Sequence, residues 1–340
     1  MSTEPRDVTF SFICPVYNEQ EGLEAFHRRL TAAAGKLGEP YEVIYVNDGS
    51  TDESAAVVRR IQAADRNVKY VEFSRNFGHQ IAVTAGYDYA AGRAVISLDS
   101  DGQHPPEMIT DLVARWREGF EVVYTIRQDT EGISPLRRGV GRLVYRCIRW
   151  ASGKDLTDQA DFRLMDRKAV DALRRTREQA RFVRGLVNWI GFRQIGLPYT
   201  AQQRTAGRSN YTFTQLAGMA NAGMYNFSAR PLRLAPILGC VLVLLAVAYA
   251  VTAVALWLAM DYDLGPVAHL AAGVTGMFGV QFLLLGLMGE YIARTFDEAK
   301  NRPLYIVRET TGFDPPDAAE PSPTPDPAAE KREKRFVLYT

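Results

Sequence analysis

The sequence lacks both of the glycine-rich motifs that most often bind nucleotide phosphates. Neither G-x-x-x-x-G-K-[ST] nor G-x-G-x-x-G follows the first predicted strand. Their absence excludes a phosphate cradle of the kind that many ATPases and NAD-dependent enzymes build on a helix N-terminus. Any phosphate that this chain binds would instead have to be held by a metal ion and by arginine side chains.

Cysteine is also scarce, and neither sign of charge predominates. Cys14, Cys147 and Cys240 have no spacing typical of a metal site or a disulfide framework, so reduced thiols are expected. A formal net charge of +1 argues against a general nucleic-acid-binding protein, and no nucleic-acid partner is predicted. Residues 1–7 are polar, which predicts no cleaved signal peptide before the first strand.

Two long runs, by contrast, carry no charged residue. Segments 234–260 and 267–289 contain about 27 and about 23 residues, against the roughly 20 that cross a bilayer core. A short turn, 261–266, separates them without a Lys or Arg. Basic residues flank the pair on its outer sides, at Arg204, Arg208, Arg230, Arg233, Arg294, Lys300, Arg302 and Arg308. The pattern predicts a two-helix transmembrane hairpin with both termini in the cytoplasm; a buried core helix is the alternative for each run.

The segment before residue 130 alternates short apolar runs with stretches of helical period and length. The apolar runs lie at 8–14, 41–46, 68–73, 94–98 and 121–126. This alternation predicts an α/β fold with a mainly parallel sheet and helices on both faces. Because ligands of such sheets bind beyond the carboxyl ends of the strands, the residues that follow each strand are the candidates for a site.

Polar, turn-forming residues follow each of the first four predicted strands, at 15–19, 47–52, 74–78 and 99–103. In the last of these loops, Asp99 and Asp101 stand two residues apart, so extended backbone would point both carboxylates to one face. Such a pair favours Mg²⁺ or Mn²⁺, although a solvated turn is the alternative for an isolated acid pair. Four polar loops on one edge favour a nucleotide site, and without phosphate loops the donor is better explained as a nucleotide sugar.

Five motifs carry a resemblance to a known family. They are PVYNE at 15–19, NDGSTD at 47–52, RNFG at 75–78, DSDGQHPPE at 99–107 and DFRLMDR at 161–167. Together they resemble glycosyltransferase family 2, and within it the polyprenyl-phosphate glycosyltransferases, the group of bactoprenol glucosyltransferase and dolichol-phosphate mannose synthase. The segment 289–307 is similar to the bacterial two-span members, so the resemblance extends from about residue 8 to residue 307.

The resemblance implies a GT-A fold, a nucleotide-sugar donor, a polyprenyl phosphate acceptor and a Mg²⁺ or Mn²⁺ cofactor. The expected reaction is transfer of a single hexose, with inversion, from UDP-glucose to undecaprenyl phosphate on the cytoplasmic face; mannose and aminoarabinose donors are alternatives. By position, the implied metal ligands are Asp99, Asp101 and Gln103. The implied nucleotide contacts are Pro15, Tyr17, Asn18, Glu19, Asp48, Ser50, Asn76 and Asp99.

The acceptor side of the site is expected to depend on arginines more than on a base. A phosphate with a second pKa of about 6 is already anionic near neutral pH, so holding and desolvating it matters most. Asp161 is the candidate for a second essential carboxylate, either orienting an arginine or acting as a base, and Arg163 and Asp101 complete the catalytic candidates. The acceptor-phosphate candidates are Arg127, Arg142, Arg204, Arg208 and Ser209.

Two departures from the family pattern affect charge at the site. His79 follows the RNFG motif where many relatives have Lys, and Asn210 replaces a second Lys, with Arg208 as the expected substitute. The other enzyme interpretation is a processive polysaccharide synthase. Those enzymes generally carry a Q-x-x-R-W motif, which this sequence lacks. A non-catalytic membrane scaffold is the interpretation from a different class.

The predicted organisation has six parts. They are a cytoplasmic catalytic domain (1–210), a juxtamembrane amphipathic segment (211–233), two transmembrane helices (234–260 and 267–289), a cytoplasmic return (290–310) and a disordered tail (311–340). The expected location is the inner (plasma) membrane, with the lipid bilayer as a partner. Hairpin-anchored chains often associate, so a homo-oligomer is one option, but the sequence does not define the oligomeric state.

Overall fold

The computed structural model describes residues 8–128, 159–179, 181–200 and 265–313, together with five isolated positions between 244 and 252. Within these residues, eight strands form one sheet in the order β7-β5-β6-β4-β1-β2-β3-β8. The strands are β1 (Phe10–Val16), β2 (Tyr41–Asn47), β3 (Val68–Phe73), β4 (Ala94–Ser97), β5 (Val122–Gln128), β6 (Gln159–Asp166), β7 (Gln194–Thr200) and β8 (Val307–Thr311).

Helices pack on both faces of the sheet. They are α1 (Leu23–Gly35), α2 (Ser54–Ala64), α3 (His79–Tyr89), α4 (Ile109–Arg117), α5 (Arg167–Arg175) and α6 (Val183–Ile190), with a short 3₁₀ turn at Pro106–Met108. A further long helix, α7 (Pro266–Ala299), precedes β8 in the chain. Alternate residues of each strand point to opposite faces, so the sheet divides the core into two clusters. Phe12 packs with α1, α2 and α4, whereas Ile13 packs with α3, α5 and α6. The predicted α/β fold is therefore confirmed.

The sheet is mixed, which corrects the prediction of a mainly parallel one. Pairs β1–β2, β1–β4, β2–β3 and β5–β7 are parallel. Pairs β4–β6, β5–β6 and β3–β8 are antiparallel. Two successive strands can pair in parallel only if a crossover connects them. Helix α1 forms the crossover between β1 and β2, and α2 forms the crossover between β2 and β3. β6 and β8 instead enter the sheet after long connections that impose no such direction.

The end of the chain also differs from the predicted organisation. The return segment 290–310 contains the last part of α7 and most of β8, which pairs with β3 beside the first strands of the sheet. Thr311 belongs to this strand, so the predicted disordered tail begins too early. The sheet is therefore completed by residues that follow the predicted hairpin.

The two predicted transmembrane segments are described to different extents. Segment 267–289 lies inside α7, which continues beyond it to Ala299. Segment 234–260 is described only at the five isolated positions, and 211–233 lies outside the described residues. Within the described part of the chain, no helix combines the length and the mean hydropathy required of a membrane span.

Candidate active site

The carboxyl ends of β1, β2 and β4 meet at one edge of the sheet, and hydrogen bonds tie them together. The Ser100 hydroxyl donates to the carbonyl oxygen of Pro15 over 2.8 Å, which joins the loop after β4 to the end of β1. The Asp48 N–H donates to the Val16 carbonyl over 2.9 Å, which joins the loop after β2 to the same strand. The backbone carbonyls of Pro15 and Val16 at the end of β1 therefore each hold one of the two loops in place.

The loops after β1 and β2 are held together by their own polar side chains. Asn18 accepts the N–H of Thr51 at its amide oxygen over 2.9 Å, and its own N–H donates to the Ser50 hydroxyl over 3.1 Å. The Glu19 N–H donates to the Ser54 hydroxyl over 2.9 Å. Tyr17, in contrast, is 46% exposed beside these bonds. Asn18 and Ser50 thus shape the loops, while the Tyr17 ring is left open to a ligand.

The loops after β2 and β3 are joined through Asp48. Its side chain is buried, and its two carboxylate oxygens accept the N–H groups of Phe77 and Gly78 over 2.6 and 2.9 Å. Burial raises the pKa of Asp48, and these two N–H groups partly offset that effect. Gly49 lies so close to the other loop that a Cβ would meet the Arg75 carbonyl carbon at 2.5 Å. Asn76, the remaining nucleotide candidate here, is exposed.

The loop after β4 presents the acid pair that the sequence singled out. Asp101 accepts the N–H of Gln103 over 3.0 Å, which closes a tight turn. The Asp99 N–H donates to Nδ1 of His104 over 2.9 Å, and the buried His104 ring stacks on Phe162 at 5.4 Å. The backbone of Asp99 is thereby fixed against the core, while its side chain is 30% exposed.

The predicted metal ligands are of one chemical kind. Asp99 and Asp101 supply carboxylate oxygens and Gln103 supplies an amide oxygen, and all three side chains are partly exposed at the sheet edge. Such hard oxygen donors fit Mg²⁺ or Mn²⁺, which commonly keep further positions for phosphate oxygens. Across residues 8–128, 159–200 without 180, and 265–313, no group of three or more His, Cys, Asp and Glu side chains is arranged as a metal site.

Asp161 lies at the centre of a cluster of cations. Arg184 holds both of its carboxylate oxygens, with Nε and Nη2 each 2.9 Å away, and Nη2 of Arg163 lies 3.3 Å from one of them. Burial alone would raise the pKa of Asp161, but Arg184 and His79 outweigh it and hold that pKa well below its usual range. A carboxylate that resists protonation so strongly is a poor base. Of the two roles left open by the sequence, the orienting role fits this geometry.

His79 connects this cluster to the acid pair. Its Nε2 lies 3.5 Å from Oδ1 of Asp99 and 3.6 Å from Oδ2 of Asp161. Burial would lower the pKa of His79, but the two carboxylates outweigh it and raise the pKa to about 9. These two contacts favour the protonated, positively charged ring. The His79 ring can therefore supply the positive charge that many members of the resembled family obtain from a lysine at this position.

The arginine candidates are placed very differently. Arg163 is 1% exposed and donates to the Ala160 carbonyl over 3.0 Å, and burial lowers the pKa of its guanidinium. It lies beneath the site, where it can position Asp161 but does not face a substrate. Arg127 belongs to β5 and pairs with Tyr199 in the register of β7. The other acceptor candidates, Arg142, Arg204, Arg208 and Ser209, lie outside the described residues and stay predictions.

Comparison with known proteins assigns the family. Residues 11–174 match the model of glycosyl transferase family 2. The uncharacterized glycosyltransferase YkcC of Bacillus subtilis is 39% identical over 91% of this chain and 96% of its own length. The chain belongs to glycosyltransferase family 2. It is accordingly a glycosyltransferase, and the predicted family is confirmed.

Two further similarities complete the comparison. The undecaprenyl-phosphate 4-deoxy-4-formamido-L-arabinose transferase of Klebsiella pneumoniae is 34% identical over 91% of this chain and 95% of its own length. Among solved structures, glucosyl-3-phosphoglycerate synthase of Mycobacterium tuberculosis, bound to Mn²⁺ and UDP-glucose, covers 63% of this chain and 76% of its own, with 17% identity and a TM-score of 0.44. So distant a structural similarity bears on neither the donor nor the metal of this glycosyltransferase.

Sequence reasoning missed Arg184 in this glycosyltransferase. It belongs to the first turn of α6, whereas its partner Asp161 belongs to β6, and the two meet only because both elements pack near α3. No motif or spacing links them in the chain. The acid pair was found because both of its members share one strand end, a relation that the sequence displays directly.

Proposed function

We propose that this glycosyltransferase moves a single hexose from a nucleotide sugar, with UDP-glucose the favoured donor, to a membrane polyprenyl phosphate such as undecaprenyl phosphate. The observation that carries the proposal is the meeting, at one sheet edge, of the Asp99–Asp101 acid pair with the cationic cluster around Asp161. The acid pair suits a divalent cation and the diphosphate that the cation would bind. The cluster around Asp161 supplies positive charge from arginine side chains. The acceptor class is supported by the relative that is named for transfer to undecaprenyl phosphate.

The donor half of the site would bind the nucleotide between three loops. Tyr17 offers an exposed ring for a base, and the bonded loops after β1 and β2 form a stable floor beside it. Asp99, Asp101 and Gln103 would hold Mg²⁺ or Mn²⁺, which when bound neutralises charge on the departing diphosphate. His79 adds a second positive charge next to Asp99 that belongs to the protein itself.

The transfer step itself needs little proton chemistry. An oxygen of the acceptor phosphate forms a bond to the anomeric carbon, and the bond from that carbon to the diphosphate oxygen breaks with its electron pair. Attack from the face opposite to the leaving group inverts the anomeric centre. Because the acceptor is already anionic, no base has to remove a proton, which agrees with the strongly lowered pKa of Asp161. Asp161 would instead hold Arg184 in place.

The acceptor is a lipid, so the proposal includes a membrane location with both termini on the cytoplasmic side. Large apolar side chains of α7 are exposed: Val267 is 78%, Leu270 69%, Met277 60% and Leu285 53% exposed. Exposed apolar surface of this extent favours contact with lipid. The proposed anchor is the hairpin 234–260 and 267–289, with the catalytic sheet at the cytoplasmic surface.

The proposal is tested with the purified full-length protein in nanodiscs, undecaprenyl phosphate and a panel of donors. UDP-glucose, UDP-galactose, GDP-mannose and a UDP-linked 4-deoxy-4-formamido-arabinose are each incubated, and both nucleotide release and lipid-linked sugar are measured. We expect one donor to give equal amounts of both products. Removal of divalent ions with EDTA should abolish transfer, and added Mg²⁺ or Mn²⁺ should restore it.

The alternatives give different patterns in the same assay. The aminoarabinose-type donor is the second candidate, because the relative of Klebsiella pneumoniae is named for that sugar. A non-catalytic scaffold would bind UDP or GDP without forming lipid-linked sugar with any donor. Nucleotide release without a lipid product would contradict the proposed acceptor.

A further inference from the structure

The segment that follows α7 returns to the catalytic sheet and lies against β3. We call residues 301–313 the strap. At its start, the N–H of Gln179 donates to Glu298 over 2.8 Å and the Gln179 amide donates to the Arg302 carbonyl over 2.6 Å. At its end, β8 pairs with β3 as an edge strand. The strap thus joins the last turn of α7 to the sheet that carries the candidate donor site.

The strap holds the residue at which the third polar loop begins. The Ser74 N–H donates to the Ile306 carbonyl over 2.9 Å, and the Ser74 carbonyl accepts from Nη2 of Arg308 over 3.2 Å. Next to it, the Tyr305 ring stacks on Phe73 with centroids 5.0 Å apart and planes at 19°. Both backbone polar groups of Ser74 are therefore bonded to residues that lie more than 200 positions later in the chain.

The other end of the same loop is held by the candidate site. Asp48 accepts the N–H groups of Phe77 and Gly78, and the Phe77 ring packs edge-on against Phe73 at 5.6 Å. Gly78 precedes His79, which is the first residue of α3. The His79 side chain faces Asp99. The loop is short and is held at both ends. A shift of Ser74 must therefore be transmitted to Phe77, Gly78 and the groups that face the donor.

We propose that the strap is a positioning element for the nucleotide donor, with Tyr305 and Arg308 fixing the third loop against Asp48. This inference rests on the proposed function, because it takes the loop edge of the sheet to be the donor site. It also links two distant parts of the protein. Donor affinity should depend on whether the chain beyond α7 has returned to the sheet, so a glycosyltransferase without a correctly placed α7 would bind its nucleotide weakly.

The chain offers a closely matched pair of substitutions to test this proposal. Arg308 and Arg59 both pair with Glu72, over 3.1 and 3.0 Å, and their side chains are 61% and 52% exposed. Arg308 also reaches Ser74, whereas Arg59 reaches Glu309 over 2.7 Å. Arg308→Gln and Arg59→Gln therefore each remove an ion pair with Glu72. Arg59→Gln also removes a contact with the strap at Glu309, but only Arg308→Gln removes the bond to Ser74.

Nucleotide binding to the full-length protein is measured by calorimetry with UDP and with GDP, and amide hydrogen exchange is followed for residues 74–78. We expect Arg308→Gln and Tyr305→Leu to weaken nucleotide binding about fivefold to tenfold, a factor that a modest loss of positioning produces. Exchange at Phe77 and Gly78 should accelerate in both variants. Turnover with saturating donor should change little, so that the effect falls on KM. Arg59→Gln should stay within about twofold of the wild-type protein.

Equal effects of Arg308→Gln and Arg59→Gln would overturn the proposal, as would unchanged binding and exchange in the first variant. Because Tyr305→Leu also removes the bond from the Tyr305 hydroxyl to Asp88 (2.9 Å), Tyr305→Phe serves as its companion and should bind nucleotide more tightly than the leucine variant. If the wild-type protein binds neither UDP nor GDP, the proposed function fails. The exchange data would still decide whether the strap holds the loop.

Discussion

At the scale of single residues, the two aspartates of the site that are predicted to be catalytic differ in what surrounds them. Asp161 is 12% exposed and neutralises Arg163 and Arg184, the former fully buried. Asp161→Asn removes the anion and leaves the guanidinium groups to repel each other. We expect a loss of about 3 to 5 kcal/mol in the free energy of unfolding, as found when one partner of a buried ion pair is removed. Chemical denaturation of the full-length protein in detergent measures it.

Asp101→Asn provides the matched control for that substitution. Asp101 closes a partly exposed turn by accepting the Gln103 N–H, a bond that an asparagine oxygen can also accept. We expect the melting temperature to stay nearly unchanged while sugar transfer is abolished, because a neutral amide replaces one of the two carboxylate charges that would bind the cation. Full transfer activity in this variant would contradict the metal assignment. A large fall in its melting temperature would show that the turn is structural.

His27 gives the protein a pH-dependent contribution to stability away from the site. Its ring is 14% exposed, with Nδ1 3.2 Å from the Tyr45 hydroxyl and Nε2 3.5 Å from Asp65. Burial lowers its pKa from 6.5, and Asp65 only partly offsets this. The unfolded chain therefore takes up the proton first. The contribution is fully present above pH 6.5 and is lost as the pH falls from there toward the folded-state pKa.

The corresponding measurement compares the wild-type protein with His27→Gln across pH 5 to 8. The difference in the free energy of unfolding between the two proteins should be largest above pH 6.5 and should shrink on acidification. Contributions of the other histidines are common to both proteins and cancel in this difference. A difference that does not change with pH would show that His27 has the same pKa in the folded and unfolded states.

At the scale of elements, the site depends on the close approach of two loops at Gly49. Gly49 has a φ of +64° and sits against the backbone of Arg75 and Asn76, with a Cβ contact of 2.5 Å if it were alanine. Gly38 has a φ of +69° but no atom within 4 Å of its would-be Cβ. We expect Gly38→Ala to cost about 1 to 2 kcal/mol from the left-handed backbone alone.

Gly49→Ala should cost clearly more, because backbone atoms rather than a flexible side chain must move. Gly49→Ala should also weaken UDP binding, because it pushes the loop after β2, which carries Asp48, away from the loop after β3. Asp48 holds that second loop through Phe77 and Gly78. Chemical denaturation and calorimetry of the two alanine variants test both effects. Equal losses of stability would show that the loops separate without strain.

The elements also show which parts of the fold the sequence could reveal. The apolar runs 8–14, 41–46 and 68–73 correspond to β1, β2 and β3, because central parallel strands are buried on both faces and read as continuous apolar segments. β8 could not be recognised in this way. Its sequence, Val-Arg-Glu-Thr-Thr, is polar, and an edge strand with one partner needs little apolar surface. Its place in the sheet is decided by tertiary contacts.

The candidate site likewise has one part that the sequence could reveal and another that depends on tertiary contacts. Asp99 and Asp101 were predicted from one strand end, since two residues of extended backbone fix their relation. The ion pairs from Arg184 and His79 to Asp161 join α6, α3 and β6, and their distances depend on how the three elements pack. Likewise, nothing in the sequence shows that Arg163 would be buried beneath the site. A family motif identifies the residue but does not show whether its side chain is buried.

At the scale of the whole molecule, the pairing of β8 with β3 constrains the path of the chain between β7 and β8. Hydrogen-bonded neighbours must lie on the same side of any membrane, so the chain that leaves the sheet at Thr200 and returns at Val307 crosses an even number of times. The proposed hairpin of two spans meets this condition. A single crossing by α7 would place β8 on the opposite side from β3, which the sheet excludes.

The two ends of α7 should therefore respond differently to a membrane-impermeant thiol reagent. Asp263→Cys lies in the predicted turn before α7, and Asn301→Cys lies just after α7 on the exposed start of the strap. In a background without Cys14, Cys147 and Cys240, we expect the first variant to react in intact spheroplasts and the second only in inverted inner-membrane vesicles. Reaction of both cysteines from one side would contradict the hairpin. Reaction of Asn301→Cys from outside would also contradict the proposed cytoplasmic location of the catalytic sheet, because β8 of the strap pairs with β3 of that sheet.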